Sequence, residues 1–164
     1  MGGAMAAHLV RAGYDVTVTN RTPARAEPLL QMGASWAETP AAAATGAEVA
    51  FTCVSDSPDV EQVLFGADGA AGALAPGAVL VDCSTISPTV TRDIAARLAT
   101  RGVGAVDAPV SGGSEGAQRG TLTAFVGGAA EHVASARPAL ETFCGTITHL
   151  GTAGAGQAAK AVNQ

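Results

Sequence analysis

The sequence predicts an α/β fold: a doubly wound, mostly parallel sheet with helices on both faces. Three observations lead there. Short β-branched or apolar runs, such as DVTVT at 15–19, EVAFTCV at 48–54 and AVLVDCS at 78–84, alternate with segments of helical periodicity. Strands separated by helices pair in parallel through right-handed crossovers. Small polar residues then gather at 20–22, 54–57, 83–85 and 107–113, where those strands end. An open parallel sheet binds its ligands at the carboxyl ends of its strands.

Taken in order, GAMAAHLVRA at 3–12 has Met5, Leu9 and Val10 at helical spacing and stops at Gly13. The strand at 15–19 follows, then a helix from Pro23 to Met32 stopped by Gly33. After the strand at 48–54, SDSPD makes a turn and a helix start, with Asp56 and Asp59 as caps for a helix over 58–65. Residues 66–77 are rich in Gly, Ala and Pro. The run at 78–84 is a buried strand, Thr85–Pro88 a turn, and 89–101 a helix with a Ser/Thr cap nearby. VGAVDAPV at 103–110 is a strand, SGGSEG a loop, and TLTAFVGG at 121–128 a strand. A helix over 130–143, a strand TITHL at 146–150 and a helix opening at 156 complete the series. With no internal repeat and no linker, residues 1–153 read as one domain, and 154–164 as the start of a helix leading away from it.

Composition removes several classes of function. Of 164 residues, 48% are hydrophobic and 14% charged, with a net charge of −5. No basic patch is present, which argues against a nucleic-acid partner. No apolar run reaches the about 18 residues of a membrane span, and no basic region precedes an apolar stretch at the N-terminus. Cys53, Cys83 and Cys144 are scattered, odd in number and form no CxxC. Neither a disulfide framework nor a zinc site is indicated, and a reducing, cytoplasmic compartment is the default. His8, His132 and His149 have no ligand spacing, so no metal is expected.

Three motifs carry chemistry. In MGGAMAAHLVRAGYDVTVTNRT, Gly2 stands at a helix N-terminus, where free N–H groups suit a pyrophosphate. The strand after that helix ends in Asn20, Arg21 and Thr22. An acidic residue there would bind a ribose 2′-OH, whereas an arginine fork suits a 2′-phosphate. The cofactor therefore leans to NADP, with NAD left open. The second motif, DAPVSGG at 107–113, puts Ser111, Gly112 and Gly113 straight after a strand, with a hydroxyl and approachable backbone N–H groups for a small anion. The third, GTAGAGQAAKAVNQ at 151–164, lacks the GK[ST] ending of a phosphate loop. It places Lys160, Asn163 and Gln164 a turn apart on one helix face. Lys160 is the sole lysine, against eight arginines, and lysine can give up a proton where arginine cannot.

These motifs, in this order, resemble the β-hydroxyacid dehydrogenases, the group of 3-hydroxyisobutyrate dehydrogenase and tartronate semialdehyde reductase. The matching strings are MGxxMA at 1–6, NRT at 20–22, DCST at 82–85, DAPVSGGSEGAQRGTLT at 107–123 and GAGQAAKAVNQ at 154–164. The resemblance implies a Rossmann domain, and hydride transfer between NAD(P) and a small 3-hydroxy acid or its semialdehyde. It makes Lys160 the acid/base group, and Ser111, Gly112 and Gly113 the loop for a substrate carboxylate. Asn163 or Gln164 is implied as the amide that touches substrate. Met1, Gly2, Asn20, Arg21, Thr22, Val54, Ser55, Ser84 and Thr85 are implied to hold the cofactor. Against that pattern the first strand with its GxG, and an all-helical C-terminal domain, are expected to be missing. A truncated chain of this kind is expected to be inactive, its full-length parent a homo-oligomer. Two alternatives stand beside this reading: a non-catalytic dinucleotide-binding fragment, and an imine reductase-like enzyme, against which Lys160 argues.

Overall fold

The computed structural model describes residues 1–164. The chain opens with α1 (Gly2–Arg11) and the short β1 (Thr17–Val18). A tight turn at Pro23–Ala26 runs into α2 (Glu27–Gln31), and β2 (Ser35–Trp36) and α3 (Pro40–Ala44) follow. Then come β3 (Val49–Thr52), α4 (Ser57–Phe65), β4 (Val79–Asp82) and α5 (Pro88–Ala99). The second half holds β5 (Gly104–Asp107), β6 (Val110–Ser111), α6 (Gly113–Arg119), β7 (Leu122–Gly128), α7 (Ala130–Leu140), β8 (Cys144–Gly151) and α8 (Ala155–Asn163). No helix is long and apolar enough to cross a membrane.

Six strands form one sheet in the order β3-β4-β5-β7-β6, with β8 also on β7; β1 and β2 make a separate two-stranded sheet. The pairs β1–β2, β3–β4, β4–β5 and β7–β8 are parallel. Strand β7 runs antiparallel to β5 and β6. The expected mostly parallel α/β sheet is therefore present.

Strand β4 is buried throughout and divides the apolar interior. Val79 and Val81 face a core with Met5 and Leu9 of α1, Val133, Ala136 and Leu140 of α7, and Phe143. Ala78 and Leu80 face the other core, with Val60 and Leu64 of α4 and Ile94 and Leu98 of α5. This is the period-two alternation of a strand covered on both sides. Fully burying each such Leu or Val contributes about 1.5–3 kcal/mol.

Three expectations need correction. The strand over 103–110 is two, β5 and β6: Pro109 has no N–H for a ladder, and its carbonyl accepts instead from Phe125 N at 3.0 Å. The loop over SGGSEG is helical from Gly113. Glu115 lies in its first turn and pairs with Arg119 at 2.8 Å, one turn on. The region at 33–45, given no elements from sequence, holds β2 and α3. Thr39 caps α3 by accepting from Ala42 N, and β2 exists by pairing with β1.

Candidate active site

Side-chain hydrogen bonds join the carboxyl ends of β3 and β4, and Asp107 closes β5 beside them. Thr52 Oγ1 donates to Asp82 Oδ1 at 2.8 Å, and Ser84 N donates to the same oxygen at 3.0 Å. Ser84 Oγ accepts from Val54 N at 2.9 Å. Asp82 Oδ2 is buried without a partner. Burial pushes the Asp82 carboxyl up; the bonds from Ser84 and Thr52 oppose this, and the charge of Asp107 adds to it.

Helix α8 is fastened to these strand ends twice. Asp107, 2% exposed, accepts from Gly154 N at 2.8 Å through Oδ1 and from Gln157 N at 2.9 Å through Oδ2. The buried Gln157 side chain accepts from Ile86 N at 3.1 Å and donates to Ser84 O at 2.7 Å. Only one orientation of that amide satisfies both. Close packing at the start of α8 needs glycine: a Cβ on Gly156 would collide with the Phe125 carbonyl and stand 2.8 Å from Asp107 Oδ2. Lys160 lies one turn beyond Gln157 and is 6% exposed. All five ion pairs of the structure use arginines, so no carboxylate neutralises Lys160.

The other sequence-derived residues are spread along the same edge. Met1 and Gly2 open α1, whose first N–H groups have no partner inside the helix. A Cβ on Gly2 would stand 3.3 Å from that of Cys53, so α1 begins against the end of β3. Asn20, Arg21 and Thr22 are exposed after β1, and Asn20 Nδ2 donates to Thr22 O at 2.9 Å. Arg21 reaches Asp59 of α4 at 3.6 Å, with its side chain 85% exposed. Asp56 caps α4 by accepting from Asp59 N. Val54 is half-buried, Ser84 buried, and Ser55 and Thr85 exposed.

On the far side, Ser111 pairs with Thr123 of β7, and Gly112 begins α6 with a φ of 131°, open to glycine and few others. Gly113 follows it, exposed. Ser111 thus lies against β7 at Thr123, and the first turn of α8, at Gly156, lies against β7 at Phe125. Asn163 and Gln164 are exposed at the end of α8, whereas Lys160 on the same helix is buried. No group of three or more His, Cys, Asp or Glu could hold a metal ion. His8 and His149 each place Nε2 against two backbone carbonyls, a structural use of the ring.

The structure also brings in residues that reading the sequence passed over: Thr52, Asp82, Asp107 and Gln157. The available signal was an acidic residue closing each of two apolar strands in a chain with few charges.

These features fit a dinucleotide. The N-terminus of α1 meets the end of β3, a cation follows β1, and a hydrogen bond from Val54 N to Ser84 ties the loops after β3 and β4. Residues 1–151 match the family described as the NAD binding domain of 6-phosphogluconate dehydrogenase. The chain belongs to that family. This NAD binding domain is 43% identical to a 3-hydroxyisobutyrate dehydrogenase of Pseudomonas aeruginosa over 163 residues, covering 99% of the chain and 55% of that protein. It is 42% identical to an NAD-dependent L-serine dehydrogenase of the same organism, over 99% of the chain and 55% of that protein. A solved structure described as Psf3 in complex with NADP+ and 2-OPP superposes with a TM-score of 0.94 at 36% identity, over 99% of this chain and 58% of that one. The chain spans about half the length of the curated relatives it matches. It is an NAD-binding domain, similar in sequence to part of 3-hydroxyisobutyrate dehydrogenases.

Proposed function

We propose that the whole protein interconverts a small 3-hydroxy acid and its semialdehyde, with NADP(H) preferred. One observation carries the reading. Gln157 ties α8 to the turn after β4. The lysine a turn later, buried and without an ionic partner, is therefore held beside the loop that would face a nicotinamide.

Met1, Gly2, Arg21, Thr22, Val54, Ser55, Ser84 and Thr85 would hold the dinucleotide, and Asn20 would border its ribose. Bound there, the cofactor supplies or accepts the hydride. Ser111 and the N–H groups of Gly112 and Gly113 would bind a substrate carboxylate, which orients the carbonyl. Lys160 Nζ would give its proton to the carbonyl oxygen in reduction and take the alcohol proton in oxidation. The exposed Asn163 and Gln164 offer an amide to the substrate's far end. The NADP preference is supported by Arg21 and by the absence of an acidic residue at position 20.

Steady-state assays with carboxylated aldehydes and both reduced cofactors test this. Lys160→Ala should lower kcat about 10²–10⁴-fold while the dinucleotide Kd is kept. Lys160→Arg should not rescue, because a guanidinium keeps its proton. Near-full turnover in Lys160→Ala would remove the lysine from the mechanism.

A further inference from the structure

Helices are ordinarily capped by a residue next to them in sequence. The residue at the N-terminal boundary of α8 is Gly154, which has no side chain to offer. Its place is taken by Asp107, from the end of a strand 47 residues earlier. A local Ser or Asp would satisfy the same helix N–H groups equally well. What only a distant cap adds is location, because it pins the first turn of the helix to the sheet.

We infer that Asp107 is a positioning residue: its carboxylate clasps the first turn of α8 to β5 and so sets Lys160 in the site. This rests on the reading of Lys160 as the proton donor. The two oxygens take separate N–H groups, Gly154 and Gln157, so the carboxylate fixes both the height and the rotation of the turn. The space around it is fitted to that carboxylate. A Cβ on Gly127 would stand 2.5 Å from Asp107 Oδ1, and one on Gly156 2.8 Å from Oδ2. Gln157 supplies the second fastening, from the same helical turn to Ser84 and Ile86. Helical side chains lean toward the N-terminus of their helix, so Lys160 leans back over this clasped turn. Tilt or rotation of the turn is thereby passed to Nζ, where small misplacements cost rate.

The test compares the unaltered protein with Asp107→Asn, which keeps the shape but loses one acceptor. A second variant, Gln157→Met, removes the other fastening and leaves Asp107 in place. Amide hydrogen exchange reads the clasp directly. Exchange over residues 154–160 should quicken about ten- to a hundredfold in Asp107→Asn, with residues 79–82 unchanged within about twofold. Lys160 is the sole lysine, so its modification by an amine reagent, read by peptide mass spectrometry, should also quicken. In turnover, kcat should fall about tenfold or more with the dinucleotide KM nearly constant. Gln157→Met should move the same three readouts in the same direction. Unchanged exchange and lysine modification in both variants would overturn the proposal. So would protection lost equally from β4 and α8, which would make Asp107 an ordinary core residue. Exchange and modification need no turnover, so they decide the clasp even if Lys160 proves not to be the proton donor.

Discussion

Asp82 and Asp107 end neighbouring parallel strands in the same register, and only Asp107 has a partner for each of its oxygens. The difference lies in what covers them. The first turn of α8 brings two N–H groups to Asp107, whereas both bonds to Asp82 go to Oδ1. Its other oxygen is buried with nothing to accept from, and burial pushes the carboxyl up from its usual range.

That asymmetry makes stability depend on pH in a stated direction. Burial, with the Asp107 charge adding to it, raises the folded-state pKa of Asp82 against its hydrogen bonds. A raised carboxyl binds its proton more tightly in the folded state. Its contribution is fully present below the unfolded carboxyl value and is lost as pH rises through the folded one. Asp82→Asn removes the titration and keeps an acceptor for Thr52 and Ser84. Thermal midpoints of both proteins from about pH 4 to 8 should therefore diverge, with the unaltered protein losing more as pH rises. Parallel curves would contradict this.

Cofactor preference should respond to Asp59 as well as to Asn20. The Asp59 carboxylate occupies the Arg21 guanidinium at 3.6 Å and opposes any phosphate brought to it. Asp59→Asn should raise the NADPH-to-NADH ratio of binding constants about two- to fivefold, the scale of an exposed ion pair. Asn20→Asp should lower it, by repelling the 2′-phosphate and offering a ribose acceptor. Calorimetric titration of both nucleotides gives the ratio.

Two of the three thiols, Cys83 and Cys144, should be inert in the folded protein. Burial raises Cys53 and Cys83, and takes Cys144 to about 12. Since the thiolate is the reactive form, Cys83 and Cys144 should resist a disulfide reagent at pH 8. Half-buried Cys53 should react first, and denaturant should release all three. Rapid modification of Cys83 without unfolding would contradict the burial described.

Phe143 is fully buried, edge-on to Phe51 with ring centroids 5.8 Å apart. Phe143→Ala should cost about 3–5 kcal/mol in chemical denaturation. Leu150, 44% exposed, is the matched control, and Leu150→Ala should stay within about 0.5 kcal/mol.

Much of this molecule was legible in its sequence. The strands at 49–52, 79–82 and 122–128 announce themselves as mostly apolar runs, because a strand packed between helices exposes little of either face. Lys160 stood out as the sole lysine. Helix α6 was hidden by its glycines, which lower helix propensity although packing and the Glu115–Arg119 pair restore it. Strand β2 is two residues long and is set by its partner β1, which no local pattern records. Asp107 reads locally as a strand end meeting solvent. What buries it is a helix turn 47 residues later, so its use was decided by the fold.

The division of the interior by the sheet has a consequence for how damage accumulates. Leu98 and Leu140 lie in separate cores on opposite faces, each fully buried. A cavity made at one has no shared neighbour to relax into the other, so their costs should sum. Leu140 and Phe143 share one core, and their double replacement should depart from the sum of the single costs. The sheet thus acts as a bulkhead: substitutions compensate for one another only within a compartment, and variation can drift in one while the other stays as it was.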